Sequence, residues 1–346
     1  MHIDLAIVFA SAIVGFTVGL TGMGGGALMT PILVIFFGIT PSTAVSSDLV
    51  AAMIMKPVGA GVHIRRHTVH WELVRWLCIG SVPTAFGAVF LLQSLGDPAA
   101  IENLTKVLLG TTLLMAAGAM VFKSWLQSRR SAAARAAGLP THPAGPIHVK
   151  VLATVLVGAL GGTLVGLTSV GSGSIIIVCL MLLYPQLRGA ELVGTDLVQA
   201  IPLVSAAAIA HILVGDFQFP LFASIIIGAL PAVYLGARAS VRAPDGVIRP
   251  ALVFVLVASA LKLLEMPTSV LGVTMVAFAL IAFPIWGALD AAAFPASRWG
   301  TRDRSWWIKI QAIGAPFVVG FVYAIRYFWT VRPELVAVPA SVGIGA

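Results

Sequence analysis

Hydrophobic positions gather into twelve blocks along the chain, at residues 5–20, 26–37, 44–62, 71–92, 104–122, 151–167, 174–184, 192–214, 221–241, 247–264, 271–289 and 308–329. Most are long enough to be read as helices that cross a bilayer, whose ~30 Å hydrocarbon core takes about 20 residues. Four are not. Residues 5–20 and 26–37 reach only about 24 and 18 Å at 1.5 Å per residue, and residues 151–167 and 174–184 are equally short. Each short pair meets at a glycine-rich break, Gly22-Met23-Gly24-Gly25-Gly26 in the first and Ser169-Val170-Gly171-Ser172-Gly173 in the second. The pattern predicts an all-α polytopic membrane protein.

Composition sharpens that reading by exclusion. Hydrophobic residues make up 59% of 346 and charged residues 10%, against ~25% charged in ordinary soluble domains; the mean hydropathy is +1.02. A cytosolic enzyme, a nucleic-acid binder and a disordered chain are thereby excluded. The first residues lack a basic region ahead of the apolar stretch and are read as a retained membrane segment. Cys78 and Cys179 both lie inside apolar blocks, which supports neither a disulfide framework nor a Cys-based metal site.

The chain repeats itself. VGLTGMGGG at residues 18–26 aligns with VGLTSVGSG at residues 165–173, six of nine positions being identical. One residue further in register, Asp48-Leu49-Val50 matches Asp196-Leu197-Val198, His63 matches His211, and Gly80 with Pro83 matches Gly228 with Pro231. Chance likeness between apolar helices gives scattered Leu and Val; these matches fall on Gly, Thr, Asp, His and Pro. The division that follows is a first repeat at 1–122, a basic cytoplasmic linker at 123–150, a second repeat at 151–265, and additional membrane helices at 266–346.

The net charge of +8 is an orientation signal in such a chain, because cations collect in cytoplasmic loops. Placing residues 65–70, 123–150, 238–249 and 298–309 inside puts 14 of the 21 Lys and Arg there. The loop after His63 is then inside and its duplicate after His211 outside, so the two copies are expected to be inverted, each with a Gly-broken short helical pair plus about three full spans. Trp71, Trp76, Trp125, Trp299, Trp306 and Trp307 fit an interfacial aromatic belt.

The breaks carry the candidate chemistry. Non-helical backbone at membrane depth is tolerated only where protein or a water-filled cavity satisfies it, and a helix starting there offers free N–H groups and the positive end of its dipole to an anion. Thr21, Gly22, Gly24, Gly25 and Gly26 of the first break, and Thr168, Ser169, Gly171, Ser172 and Gly173 of the second, are the expected binding residues for a small oxyanion. The alternative is that these small residues only let helices pack closely.

Asp48 and Asp196, with Ser47 and Thr195 beside them, are the paired acids, read either as coupling residues or as first-turn and interfacial acids. Lys56 precedes Pro57 and either faces the anion path or snorkels to the interface. His63 and His211 suit a cap or gate hydrogen bond. His63, His67 and His70 fall at i, i+4 and i+7, a metal-like spacing, but the intervening Arg65 and Arg66 argue for a cytoplasmic loop, so no metal and no cofactor is assigned.

With its Gly-rich turn, the following TPSTAVSSDLV, and their repetition as GLTSVGSGSIII and ELVGTDLV, the stretch from Ala6 to Leu264 resembles the TauE/SafE sulfite exporter family, also called the 4-toluene sulfonate uptake permease family. The resemblance implies a multi-pass transporter of the bacterial plasma membrane, not an enzyme, moving small sulfur-containing or carboxylate anions such as sulfite or organosulfonates. It implies that Thr21 to Gly26 and Thr168 to Gly173 form the central site, with Asp48 and Asp196 flanking it. The linker and the two apolar blocks after Glu265 depart from the shorter family pattern. The mechanism expected is alternating access of a secondary carrier, with H+ or Na+ as the coupling ion; the rivals are an uncoupled anion channel and a membrane enzyme using the histidine group. Expected partners are the anion, the lipid bilayer and a second copy in a homo-oligomer, with no nucleic acid.

Overall fold

The computed structural model describes residues 3–21, 25–136, 147–239, 245–277, 280, 283–293, 303–313, 318–331 and 334–335. Among these, the elements are helical: α1 (Leu5–Thr21), α2 (Gly26–Phe37), α3 (Pro41–Arg65), α4 (Trp71–Gln93), α5 (Pro98–Ala136), α6 (Val151–Thr168), α7 (Ile175–Leu183), α8 (Gly189–Val214), α9 (Phe219–Ala239), α10 (Asp245–Leu263), α11 (Thr268–Ala277), α12 (Phe283–Ala293), α13 (Arg304–Ile313) and α14 (Val318–Arg326), the last continuing as a π-helical turn, Tyr327–Val331. Six of the described stretches are long and apolar enough to cross a membrane: Pro41–Arg65, Trp71–Gln93, Pro98–Gln127, Val151–Thr168, Gly189–Val214 and Phe219–Gly236. α1, α2 and α7 are too short to do so alone, as the block lengths predict, but the fourth block read as short, 151–167, extends by one residue to Thr168 and as α6 is long and apolar enough to cross.

The chain forms two compact units. The first holds residues 1–122, 142–241 and 259–265; the second holds 123–141, 242–258 and 266–346. Within the second, α12, α13 and α14 pack on one another around Trp307, Tyr327 and Phe328.

In the first unit the two halves interlock reciprocally. α1 packs along α9 and α4 along α6, while α3 packs against α8. The contacts repeat atom by atom under exchange of the halves. A β-carbon on Gly80 would stand 2.1 Å from the carbonyl oxygen of Val155, and one on Gly228 would stand 2.1 Å from that of Val8; Gly162 meets the backbone of Ser81 as Gly15 meets that of Ala229. In each pair both partners are counterparts in the sequence duplication. Backbones this close need glycine, and close approach is what small residues contribute where lipid supplies no hydrophobic drive for helix association.

Direction can be read from the same contacts. Positions rise together along α1 and α9, where Val8 faces Gly228 and Phe16 faces Gly236, and along α4 and α6, where Leu77 faces Gly158 and Ala85 faces Gly166. The counterpart helices α3 and α8 run oppositely: Ala60 packs with Val198, while Val45 and Leu49 pack with Leu203 to Ala208. The outward faces match as well, with Leu5, Phe9 and Ile13 of α1 exposed like Leu152, Leu156 and Leu160 of α6. A surface of exposed Leu, Phe and Ile along helices is what a lipid-facing wall requires.

Candidate functional site

The start of α2 meets the second break. α6 ends at Thr168 with Ser169 in the left-handed region at φ +59, and Gly171 and Gly173 follow at φ +131 and +85. At the two glycines the turn needs a residue without a β-carbon. Thr168 locks the turn from inside: its hydroxyl donates to Leu164 O at 2.6 Å and accepts from Val170 N at 3.2 Å. α2 begins at Gly26, hard against this turn, where a β-carbon would fall 1.9 Å from Ser169 O. Gly22 and Gly24 lie outside the described residues, and Thr21 enters only as the last residue of α1.

Around this contact the first half reaches into the second. Ser169 Oγ donates to Asp48 Oδ2 at 2.6 Å, and Thr30 Oγ1 of α2 donates to the same oxygen at 3.1 Å. Lys56 Nζ donates to Ser172 Oγ at 2.6 Å. Asp48, Lys56, Thr30, Ser169 and Ser172 are all buried. Asp48 and Lys56 come from α3, Thr30 from α2, and the two serines from the second break, so the cluster exists only where the halves interlock. The Lys56 ammonium also stands within electrostatic reach of Asp196. That buried acid on α8 accepts from Gln199 Nε2 at 3.1 Å, and Gln199 Oε1 in turn accepts from Ser81 Oγ at 3.4 Å.

Other sequence candidates lie apart from the cluster. The Thr195 hydroxyl accepts from the backbone N–H of His70 at 3.1 Å and so ties α8 to the start of α4. Ser47 Oγ is buried without a partner among the described residues. His63 pairs its Nδ1 with Thr68 Oγ1 at 3.0 Å in the loop after α3. Its duplicate His211 instead reaches across to α6, with Nε2 2.9 Å from Gly166 O and Nδ1 3.7 Å from Asp216 Oδ2. His67 takes a left-handed φ of +52, and His70 faces Glu191 at 3.6 Å. Among the described residues no three His, Cys, Asp or Glu converge as a metal site. A cavity of about 450 Å³ opens elsewhere, between Val69 to Leu73 and the segment holding Ile147 and Val149.

Three polar residues of this region escape sequence reading: Thr30, Gln199 and Ser81. A threonine or glutamine in a membrane helix carries no spacing signature. Only the coincidence that Thr30 lies one turn after Gly26 could have pointed to it.

A buried ammonium, two buried carboxylates and several hydroxyls at the junction of two broken helices can hold a small charged solute and exchange a proton or cation with it. Intramembrane ionisable groups are expensive and mark solute paths. The family model for Sulfite exporter TauE/SafE matches residues 7–263. The chain is 34% identical over 265 residues to the Probable membrane transporter protein YjnA of Bacillus subtilis (strain 168), covering 75% of this chain and all of that protein. It is 24% identical over 252 residues to the Probable membrane transporter protein YdhB of the same organism, covering 72% of this chain and 95% of the relative. No solved structure matches.

Proposed function

Because the chain belongs to the Sulfite exporter TauE/SafE family, and is thus a multi-pass membrane transporter, we propose that it is a secondary carrier of a small sulfur oxyanion, organosulfonate or related carboxylate. Its setting in this proposal is the bacterial inner membrane. The anion binds where the two breaks meet. The observation that carries this is the pairing of Lys56 with Ser172, beside Asp48 with Ser169, across the junction of the two halves. It supplies a buried cation and hydroxyl donors to a site bounded by Gly25 and Gly26 at the start of α2.

The arrangement supports alternating access. α3 and α8 are duplicates running in opposite directions, and each half packs on the other through equivalent contacts. An inverted repeat of this kind can adopt two packings of similar energy, related by exchange of conformation between the repeats, each opening the central site to one side. The burial of every cluster residue favours a carrier over an open pore. His211, bound to α6 beside Asp216, and His63, paired with Thr68 of the loop that follows its own helix, make the two ends unequal, as gates on opposite faces must be in any one state.

The test is a thermal-shift panel on detergent-purified protein with sulfate, thiosulfate, sulfite, sulfoacetate, taurine and short carboxylates. A ligand at 100 times its Kd should stabilise by about 2.7 kcal/mol. A selective shift that disappears in Lys56→Met supports the anion site. No shift with any anion in the wild type removes it.

A further inference from the structure

Asp48 occupies the hydroxyls that the proposed anion needs. Its Oδ2 takes both donors, Ser169 and Thr30, whereas Oδ1 is buried with no hydrogen-bond partner among the described residues. Oδ1 is turned toward the first break: a β-carbon on Gly25 would stand in ordinary contact with it at 3.8 Å and with Met55 Cε at 3.7 Å. A carboxylate oxygen buried without a donor is costly, unless a proton sits on it or a ligand comes to it.

The other charged groups around Asp48 decide which. Lys56 on the same helix and Asp196 on α8 face the cluster. α2 and the second break contribute Thr30, Ser169 and Ser172, which are uncharged. α9 also packs on α3, but its Tyr234 and Arg238 are exposed. With every group ionised, the cluster carries one positive and two negative charges. A monoanion arriving there would add a third negative charge in a buried site and would compete with ionised Asp48 for the same two hydroxyls.

We propose that Asp48 is a resident stand-in for the transported anion, and that the anion enters only together with one proton, taken up by Asp48 at Oδ1. The O–H bond forms on the oxygen that lacks a partner. The neutral acid gives up its claim on Ser169 and Thr30, whose hydroxyls turn to the incoming oxyanion, and Oδ1–H becomes a further donor to it. Before and after, the summed charge of acids, Lys56 and ligand is the same. Release reverses the step and returns the proton to the side where the anion leaves. The inference rests on the reading of this junction as an anion site and names its coupling ion as H+.

The experiment uses anions whose own charge is constant between pH 5.5 and 8.5, namely ethanesulfonate, isethionate, sulfate and thiosulfate. Each is added to the purified full chain in weakly buffered detergent with a pH-indicator dye, and binding is followed in parallel by thermal shift. The expected result for a bound monoanion is uptake of about one proton per protein. Above the ionisation of Asp48, affinity should fall about tenfold per pH unit, as linkage requires for one coupled proton. In Asp48→Asn, whose amide mimics the neutral acid, binding should persist without proton uptake and without pH dependence. Binding to the wild type without proton uptake, or binding that needs Na+ instead, overturns the coupling while leaving the anion site standing. Failure of every anion to bind the wild type at any pH overturns the site itself, and the coupling with it. The wild-type proton count decides the matter even if Asp48→Asn does not fold.

Discussion

Gly26 and Gly25 are neighbours with opposite tolerances. A methyl on Gly26 would be driven into the Ser169 carbonyl at 1.9 Å, while one on Gly25 finds its nearest atoms at 3.7 and 3.8 Å. Gly26→Ala is expected to cost about 1–3 kcal/mol or more by overpacking, read as a lowered thermal midpoint in detergent, and Gly25→Ala to leave that midpoint nearly unchanged. Lys56 is the other residue with a measurable burden. Lys56→Met removes the ammonium that donates to Ser172 Oγ and stands within electrostatic reach of Asp196 and Asp48, and is expected to lower the thermal midpoint. Combining it with Asp48→Asn should recover part of that loss, and a strictly additive double mutant would show that the two groups are independent. Asp48, Lys56, Ser169 and Ser172 were each legible in the sequence as polar residues in apolar surroundings. Their pairing was not, because 121 residues separate Asp48 from Ser169 and 116 separate Lys56 from Ser172. Only the interlocking of the halves brings them together.

At the scale of elements, apolar blocks located the helices well where lipid or protein covers them on every side. The block at 26–37 coincides with α2, and those at 71–92 and 151–167 fall within a residue of α4 and α6. The block at 104–122 stops short because α5 runs from Pro98 to Ala136. Its last turns are rich in Ala, Arg, Lys and Ser, where hydropathy fails but Ala, Arg and Lys keep a good helix propensity. The interfaces between elements give a matched test. Gly80→Leu and Gly228→Leu should be equally damaging to assembly, since each β-carbon meets a counterpart carbonyl at 2.1 Å, whereas Gly87→Leu, with nothing within 4 Å, should be silent. Size-exclusion profiles and melting curves of the three variants check this. Unequal losses at Gly80 and Gly228 would break the equivalence of the α4/α6 and α1/α9 contacts.

For the whole molecule, the duplication was visible as matched Gly, Thr, Asp and His, and the structure adds the equivalent contacts that the two copies exchange. The opposed orientation of the copies is an expectation from cation counts, and within the first unit α3 runs antiparallel to α8. Single cysteines placed at His67 and at Gln218, after replacing Cys78 and Cys179, should react with a membrane-impermeant thiol reagent from opposite sides of intact cells. Labelling of both from one side would mean the copies are not inverted. What the sequence left open, the substrate and its direction, depends in the proposed reading on the shape and donors of one buried cluster that no periodicity encodes.

The most direct measurement of the central claim is exchange of a radiolabelled sulfonate or sulfur oxyanion, chosen from the thermal-shift panel, in proteoliposomes holding wild type, Lys56→Met, Gly26→Leu or Gly173→Leu protein at equal incorporation. If the anion is carried through the junction of the two breaks, the wild type exchanges it, and the three variants insert yet lose exchange by at least about tenfold, the loss of 1.4 kcal/mol or more of binding. Unchanged exchange in all three would place the transport path somewhere else in the molecule.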